Sequence, residues 1–276
     1  MKEPSIPKTV WAEYVRSIFL RYVEEHPDVD LQTFYPAYFQ RELHISDSYM
    51  YIQRLIRQGY LEKKEDVGMA LTEQGREAIC EEHTRFFDLA SPYISYGDYL
   101  AEKEALQDQE PFHIVMLSLM LKKSREYRQM DNYMAVKSVQ LDAAVLYEQA
   151  GITDRAMYHY LVSLYYDVSG LEYYAKLVKY AQGKKVAAAK SFEGLGIRPQ
   201  VQKGICRLKD VYSPDMVDEV FEREQISMNM CSKKNFRLLV EELRGGKYDY
   251  VVWRARFEAA YQEIVKSITA QYREEK

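Results

Sequence analysis

Cysteine is almost missing from this sequence. Its three copies, Cys80, Cys206 and Cys231, are far apart, odd in number and in no metal-binding or redox spacing. That excludes a disulfide-stapled scaffold and makes a reduced, cytoplasmic compartment the default expectation. No stretch approaches the ~18 uninterrupted apolar residues of a membrane span, so no membrane association is expected. The opening residues, MKEPSIPKTV, lack the apolar core of a signal peptide. Phosphate-binding glycine loops are missing as well. Gly194-Leu195-Gly196 has neither a preceding buried strand nor a third glycine, and Gly245-Gly246 ends a helix. The five histidines (His26, His44, His83, His113 and His159) form no i,i+4 pair and no HExxH, which argues against a metal site. Cys80 lies within one helical turn of His83, but no third group is in view to orient them. With no carboxylate dyad at a meaningful spacing either, the sequence reads as non-enzymatic and free of cofactors.

What is present is a folded chain of 276 residues, 47% hydrophobic and 29% charged, long enough for two or three domains. The net charge of −4 is unevenly spread. Residues 1–90 carry 11 Lys+Arg against 16 Asp+Glu, and residues 91–110 carry 1 against 5. Residues 111–276 reverse the balance, with 26 against 21. A duplex-binding domain normally shows a basic footprint, because counterion release drives the sequence-independent part of affinity. On bulk charge the N-terminal third does not show one.

The run from Pro36 to Ile79 organises the chain, in the order helix, turn, helix, strand, wing, strand, helix. Pro36 suits a first helical turn, PAYFQREL follows, and HIS makes the turn. Ser46 and Asp47 can cap the second helix. There Met50, Leu55 and Ile56 read as the apolar side, completed by Tyr49 or Ile52, with Ser48, Tyr51, Gln53, Arg54, Arg57 and Gln58 outward or marginal. Gly59 ends the helix, YLEKK and MALT alternate at strand period around an EDVG turn, and Thr72 caps the next helix. This order, with a helix ending in GYL, a charged hairpin and then LTEQGR, resembles the winged helix-turn-helix family. The resemblance implies a binding module. Ser48, Tyr51, Arg54 and Arg57 would face the major groove of double-stranded DNA, and Lys63 and Lys64 in the wing would meet phosphates. The same cations can equally be a solvated surface on a fold that binds protein.

In front of this run, residues 8–26 read as an amphipathic helix that completes a three-helix core or makes a dimer contact. The aromatic stretch FFDLASPYISYGDYL (86–100) runs into a connector over 91–110 that can add a short helix, leading to a helical domain over 111–276. Its first helix is unusually apolar. Asp131-Asn132 and Thr153-Asp154 start the next two, and Ala144, Tyr147, Ala156, Tyr160 and Ser163 fall at the small and large packing positions of a tetratricopeptide hairpin. Only one such hairpin is clear. Tyrosine is the compositional oddity, with 25 copies. Tyr158, Tyr165, Tyr166 and Tyr173 sit either between packed helices or along a groove that takes a partner protein or peptide; stacking on single-stranded nucleic acid needs cations closer to the rings. Ser213-Pro214 and Ser232 start two later helices, and Val252, Phe257, Ala260, Tyr261, Ile264, Val265 and Ile268 can line the buried face of the last.

The stretch from KSVQLDAAVLYEQAG to LVSLYYDVSGLEYY also resembles a helical module of proteins of Gram-positive prophages and mobile elements labelled as SAP-domain proteins. In the SAP motif itself a glycine precedes paired lysines. Here Cys231-Ser232 precedes Lys233-Lys234, so the motif is not assigned. The expected architecture is mainly α: an N-terminal winged helix-turn-helix with a small β-wing (1–90), a connector (91–110), and a tetratricopeptide-like α-helical hairpin domain (111–276). Two functions follow. One is a DNA-binding accessory or regulatory protein, with a homodimer as a helpful arrangement. The other is a protein–protein interaction scaffold whose winged domain binds no DNA.

Overall fold

The structure, a computed structural model, describes residues 5–26, 48–64, 68–79, 91–107, 109, 111–183, 196–226 and 231–274. The expected helix and turn over 36–47, the Cys80–His83 pair and the segment 184–195 lie outside these. Among the described residues the fold is mainly helical, with twelve α-helices and one two-stranded sheet. The chain divides into two compact units, Met1–Lys123 and Ser124–Lys276.

The first unit opens with α1 (Lys8–Glu25), which ends where the His26 N–H donates to the Tyr22 carbonyl at 3.0 Å. Val10, Val15, Phe19 and Val23 recur at four- to five-residue steps and, with Leu20, are buried. Helix α2 (Ser48–Arg57) packs against strand β1 (Leu61–Lys63), and α1 against strand β2 (Met69–Leu71). The strands are antiparallel, with Leu61 opposite Leu71 and Lys63 opposite Met69. Leu61, Met69 and Leu71 turn inward, so register is set by apolar residues on one face. Helix α3 spans 73–79. Thr72 caps it as expected: its Oγ1 accepts from the Gly75 N–H at 3.0 Å and donates to the Gly59 carbonyl. Helix α4 (Tyr96–Ala105) is capped by Ser95, which accepts from the Asp98 N–H at 3.1 Å. Helix α5 (Pro111–Gln129) follows and runs past the division at Lys123, and its Ile114–Met120 stretch is buried on every side, in line with its composition.

One expectation for α2 is corrected here. Tyr51, expected outward, is 8% exposed, while Met50, expected inward, is 53% exposed. The helix is rotated from the expected phase because the Tyr51 ring meets Phe19 edge-on, with centroids 5.1 Å apart and planes at 81°. Tyr51, Ile52 and Leu55 form the buried stripe.

The second unit is built around α7 (Thr153–Val168), which forms a hairpin with α6 (Tyr133–Gln149). Asn132 caps α6 through its side chain, accepting from the Ala135 N–H at 3.3 Å. At α7 the cap position belongs to Ile152, which makes no side-chain bond, so Thr153 is already in the first turn. Every residue from Ala156 to Val168 is buried. Ala144, Tyr147, Ala156, Tyr160 and Ser163 are all buried, at 0–1% exposure. The far side of α7 is covered by α9 (Pro199–Arg207) and α10 (Pro214–Arg223), on which α11 (Lys233–Arg244) packs. Ser213 and Ser232 cap these last two, as expected. Gly204 is what lets α9 approach. A Cβ there would lie 2.3 Å from Cζ of Tyr160, well inside contact distance. Helix α8 (Leu171–Ala181) packs with α6 and with α12 (Tyr250–Glu274). In α12 the buried stripe starts at Trp253, at 1% exposure, and continues through Phe257 and Tyr261; Val252 is 44% exposed and does not belong to it.

The expected tyrosine groove is also corrected. Tyr165 is fully buried, with Tyr166, Phe221 and Phe236 edge-on around it at centroid distances of 5.5, 5.2 and 5.5 Å. The Tyr166 hydroxyl donates to Glu224 at 2.9 Å, and the Arg223 guanidinium lies 5.4 Å over the Tyr158 ring. Tyr173, half-buried, meets Tyr261 of α12 with centroids 6.0 Å apart. Tyr158, Tyr165 and Tyr166 are thus packed against the chain's own later residues, because enclosing an aromatic ring removes more apolar area from water than leaving it along an open groove.

Candidate nucleic-acid interface

The outward face of the first unit is made by α2 and the hairpin after it. The segment SYMYIQRLIR contains no carboxylate, and its last turn carries Arg54 and Arg57. Cations there are favoured by the partial negative charge of a helix C-terminus. With Tyr51, Ile52 and Leu55 inward, a rotation of about 100° per residue puts Tyr49, Met50, Gln53, Arg54 and Arg57 on one continuous arc, and all but the half-buried Gln53 are exposed. Tyr49 is 54% exposed. Ser48 heads the helix, and its side chain lies outside the described residues.

Each cation is held differently. The Arg54 guanidinium stacks 4.7 Å over the Tyr51 ring, so the buried tyrosine forms a platform that keeps the charge at the rim of the face. Arg57 Nε donates to the Gln53 carbonyl at 3.3 Å, within its own helix. Neither arginine pairs with a carboxylate among the described residues. Lys63 and Lys64 are exposed in the hairpin beside Glu62, and the Lys64 N–H donates to the Gly68 carbonyl at 3.3 Å to close it.

The hairpin's base is clasped tightly enough to fix the wing against α2. Gly59 ends α2 at φ +79°, a left-handed conformation that side chains resist, and the Thr72 N–H donates to the Tyr60 carbonyl at 3.2 Å. Gly75 sits where a Cβ would lie 2.2 Å from that carbonyl oxygen. Arg16 from α1 covers the other side of Tyr60, 5.1 Å above its ring. The sequence therefore places Arg54 and Arg57 on one rigid element and Lys63 and Lys64 on the next, joined by a single turn.

A ten-residue helix is about 15 Å long and narrow enough for a major groove about 12 Å wide. No group of three or more His, Cys, Asp or Glu that could hold a metal occurs among the described residues. No described helix is long and apolar enough to cross a membrane. Of the six residues expected at a DNA face, Arg54, Arg57, Lys63 and Lys64 are exposed, Tyr51 supports from beneath, and Tyr49 and Met50 join them unforeseen. The missed signal was the i,i+4 step from Tyr51 to Leu55, which aligns the buried stripe with Ile52. In comparison with known proteins, the chain matches no family model, no curated protein and no solved structure.

Proposed function

We propose that the protein is a non-enzymatic, duplex-DNA-binding accessory or regulatory protein that uses the helix–hairpin–helix of residues 48–79 as a winged helix-turn-helix. Helix α2 enters the major groove, and Lys63 and Lys64 grip phosphate. The observation that carries this reading is the carboxylate-free arc of α2, with both arginines outward, on a unit whose bulk charge is acidic. Local charge at the binding face, more than net charge, decides whether phosphates approach. The α6–α7 hairpin serves as a tetratricopeptide-like assembly element, and two copies on one duplex would raise effective concentration. The resemblance to proteins of prophages and mobile elements sets this in the regulation of such an element. The alternative is a scaffold gripping a peptide with Tyr158, Tyr165, Tyr166 and Tyr173; the burial of the first three supports it less than the exposed arc of α2 supports duplex binding.

Fluorescence anisotropy on a mixed-sequence duplex, at low and near-physiological salt, tests this. Wild type should weaken steeply with salt. Arg54→Ala/Arg57→Ala should lower the slope of log affinity on log salt by about 2, because each arginine removed leaves one phosphate with its counterions. No binding at low salt, or a double variant identical to wild type, refutes it.

A further inference from the structure

The outward arc of α2 is chemically divided, and the division points to what is read. Its C-terminal half carries the charge. Its first turn carries two large apolar side chains in sequence, Tyr49 and Met50, each more than half exposed. Single exposed apolar residues are ordinary on any surface. Two adjacent ones stand outside the buried stripe of Tyr51, Ile52 and Leu55, which packs toward Phe19 and the hairpin. They lie on the same arc as Gln53, one turn below, and the charge of that arc commits its occupant to a polyanion.

A duplex offers one apolar group in its major groove, the C5-methyl of thymine. A glutamine there is complementary to the N6 and N7 edge of adenine. We infer that the first turn of α2 is the specificity element, with Tyr49 and Met50 packing on thymine methyls and Gln53 reading adjacent adenine, so that the protein prefers duplexes containing thymine–adenine steps. This rests on the duplex-binding reading above. It assigns base choice to the apolar end of the helix and leaves Arg54, Arg57, Lys63 and Lys64 to fix register on the backbone.

The experiment compares the full chain on a short alternating A·T duplex and on the same duplex with deoxyuridine for thymine, which removes only the methyl groups. Wild type should bind the thymine duplex more tightly, by about fourfold for each methyl that the helix covers. Met50→Ala and, independently, Tyr49→Ser should bring the two duplexes closer to equal affinity, with unchanged circular dichroism because both positions are exposed. Arg54→Ala/Arg57→Ala should weaken both duplexes and keep the preference. Equal, salt-dependent binding of both duplexes by wild type overturns the inference and leaves duplex binding intact. A preference that survives in both apolar variants overturns the assignment to this turn. Binding to neither duplex at low salt overturns the duplex reading itself, and this inference with it.

Discussion

Helices α2 and α7 are both rich in tyrosine, yet one keeps a whole side in solvent and the other keeps none. In α2 the buried residues among those described are Tyr51, Ile52 and Leu55, and its arginines stand on the open arc. In α7 the run 156–168 is buried all round, enclosed by α6 on one side and by α9 and α10 on the other. Several polar atoms of α7 are accordingly met from within the same unit, while the buried Tyr165 hydroxyl finds no hydrogen-bond partner among the described residues. The Tyr160 hydroxyl donates to Glu148 at 2.5 Å, Asp167 accepts from Lys137 at 2.6 Å and from the Arg198 N–H at 3.1 Å, and Ser163 donates to the Lys137 carbonyl at 2.6 Å. A buried carboxylate with both oxygens occupied is tolerated where a lone one is not. Tyrosine density is therefore no guide to a binding surface. What distinguishes the two helices is whether their own unit already supplies the partners.

The widest separation should appear on truncating one residue from each. Tyr165→Ala removes a ring enclosed by Tyr166, Phe221 and Phe236 and should cost about 3–5 kcal/mol in urea unfolding. Arg57→Ala, on an exposed arc, should stay within about 0.5 kcal/mol of wild type while impairing binding. A Tyr165→Ala variant within about 1 kcal/mol of wild type would mean that the helices do not close over α7 as described.

That contrast also marks what the sequence could reveal. Helix starts were legible at Asn132, Ser213 and Ser232, because capping is a local interaction, whereas at α7 Ile152 holds the cap position in place of Thr153. The hairpin was legible from Gly59, the alternation of Leu61–Lys63 and the return at Met69–Leu71. The hairpin interior of α6 and α7 was legible from small residues at fixed steps. Helical phase in α2 was not, because Tyr51 and Met50 are one residue apart and only the tertiary contact with Phe19 chooses between them. The closed groove was not legible either. Phe221 and Phe236 lie 56 and 71 positions beyond Tyr165, and nothing in local periodicity records a contact at that separation. The four exposed cations were found from type and spacing alone, since a charged side chain on a short helix has few places to go but outward.

A second test uses pH, which reaches α7 and leaves the α2 arc unaltered. His159 is 4% exposed, stacked on Tyr147 with centroids 5.2 Å apart, and its Nδ1 is 2.7 Å from Gln140 Oε1, which is anchored by a bond from Gln140 Nε2 to Ser124 Oγ at 2.9 Å. Burial, reinforced by Arg155 and Arg223, lowers its pKa from 6.5 to about 3. Between those values the unfolded chain takes a proton that the folded chain refuses, so stability falls as pH drops below 6.5. Per pH unit the loss is about 1.4 kcal/mol, or about 2 kcal/mol at pH 5. Urea unfolding at pH 7 and pH 5 should show this extra loss in wild type and not in His159→Gln. An equal loss in both would place the titrating group elsewhere.

The smallest effect separates two tyrosines within the same hairpin. The hydroxyl of Tyr166 shares Glu224 with Arg128, which donates to the same carboxylate oxygen at 3.0 Å. Tyr166→Phe should therefore cost about 1–2 kcal/mol, limited because Arg128 still satisfies the charge. The Tyr147 hydroxyl is fully buried and has no hydrogen-bond partner among the described residues. Its desolvation is already suffered in the folded state with nothing to offset it. Tyr147→Phe keeps the ring stacked on His159 and removes only the orphaned oxygen, so stability should hold or rise by up to about 1 kcal/mol. The difference in sign between two identical substitutions in one hairpin isolates the hydroxyl from the ring. If both variants lose the same amount, the Tyr147 oxygen has a partner after all, and the enclosure of α7 by its own unit is more complete than its hydrogen bonds indicate.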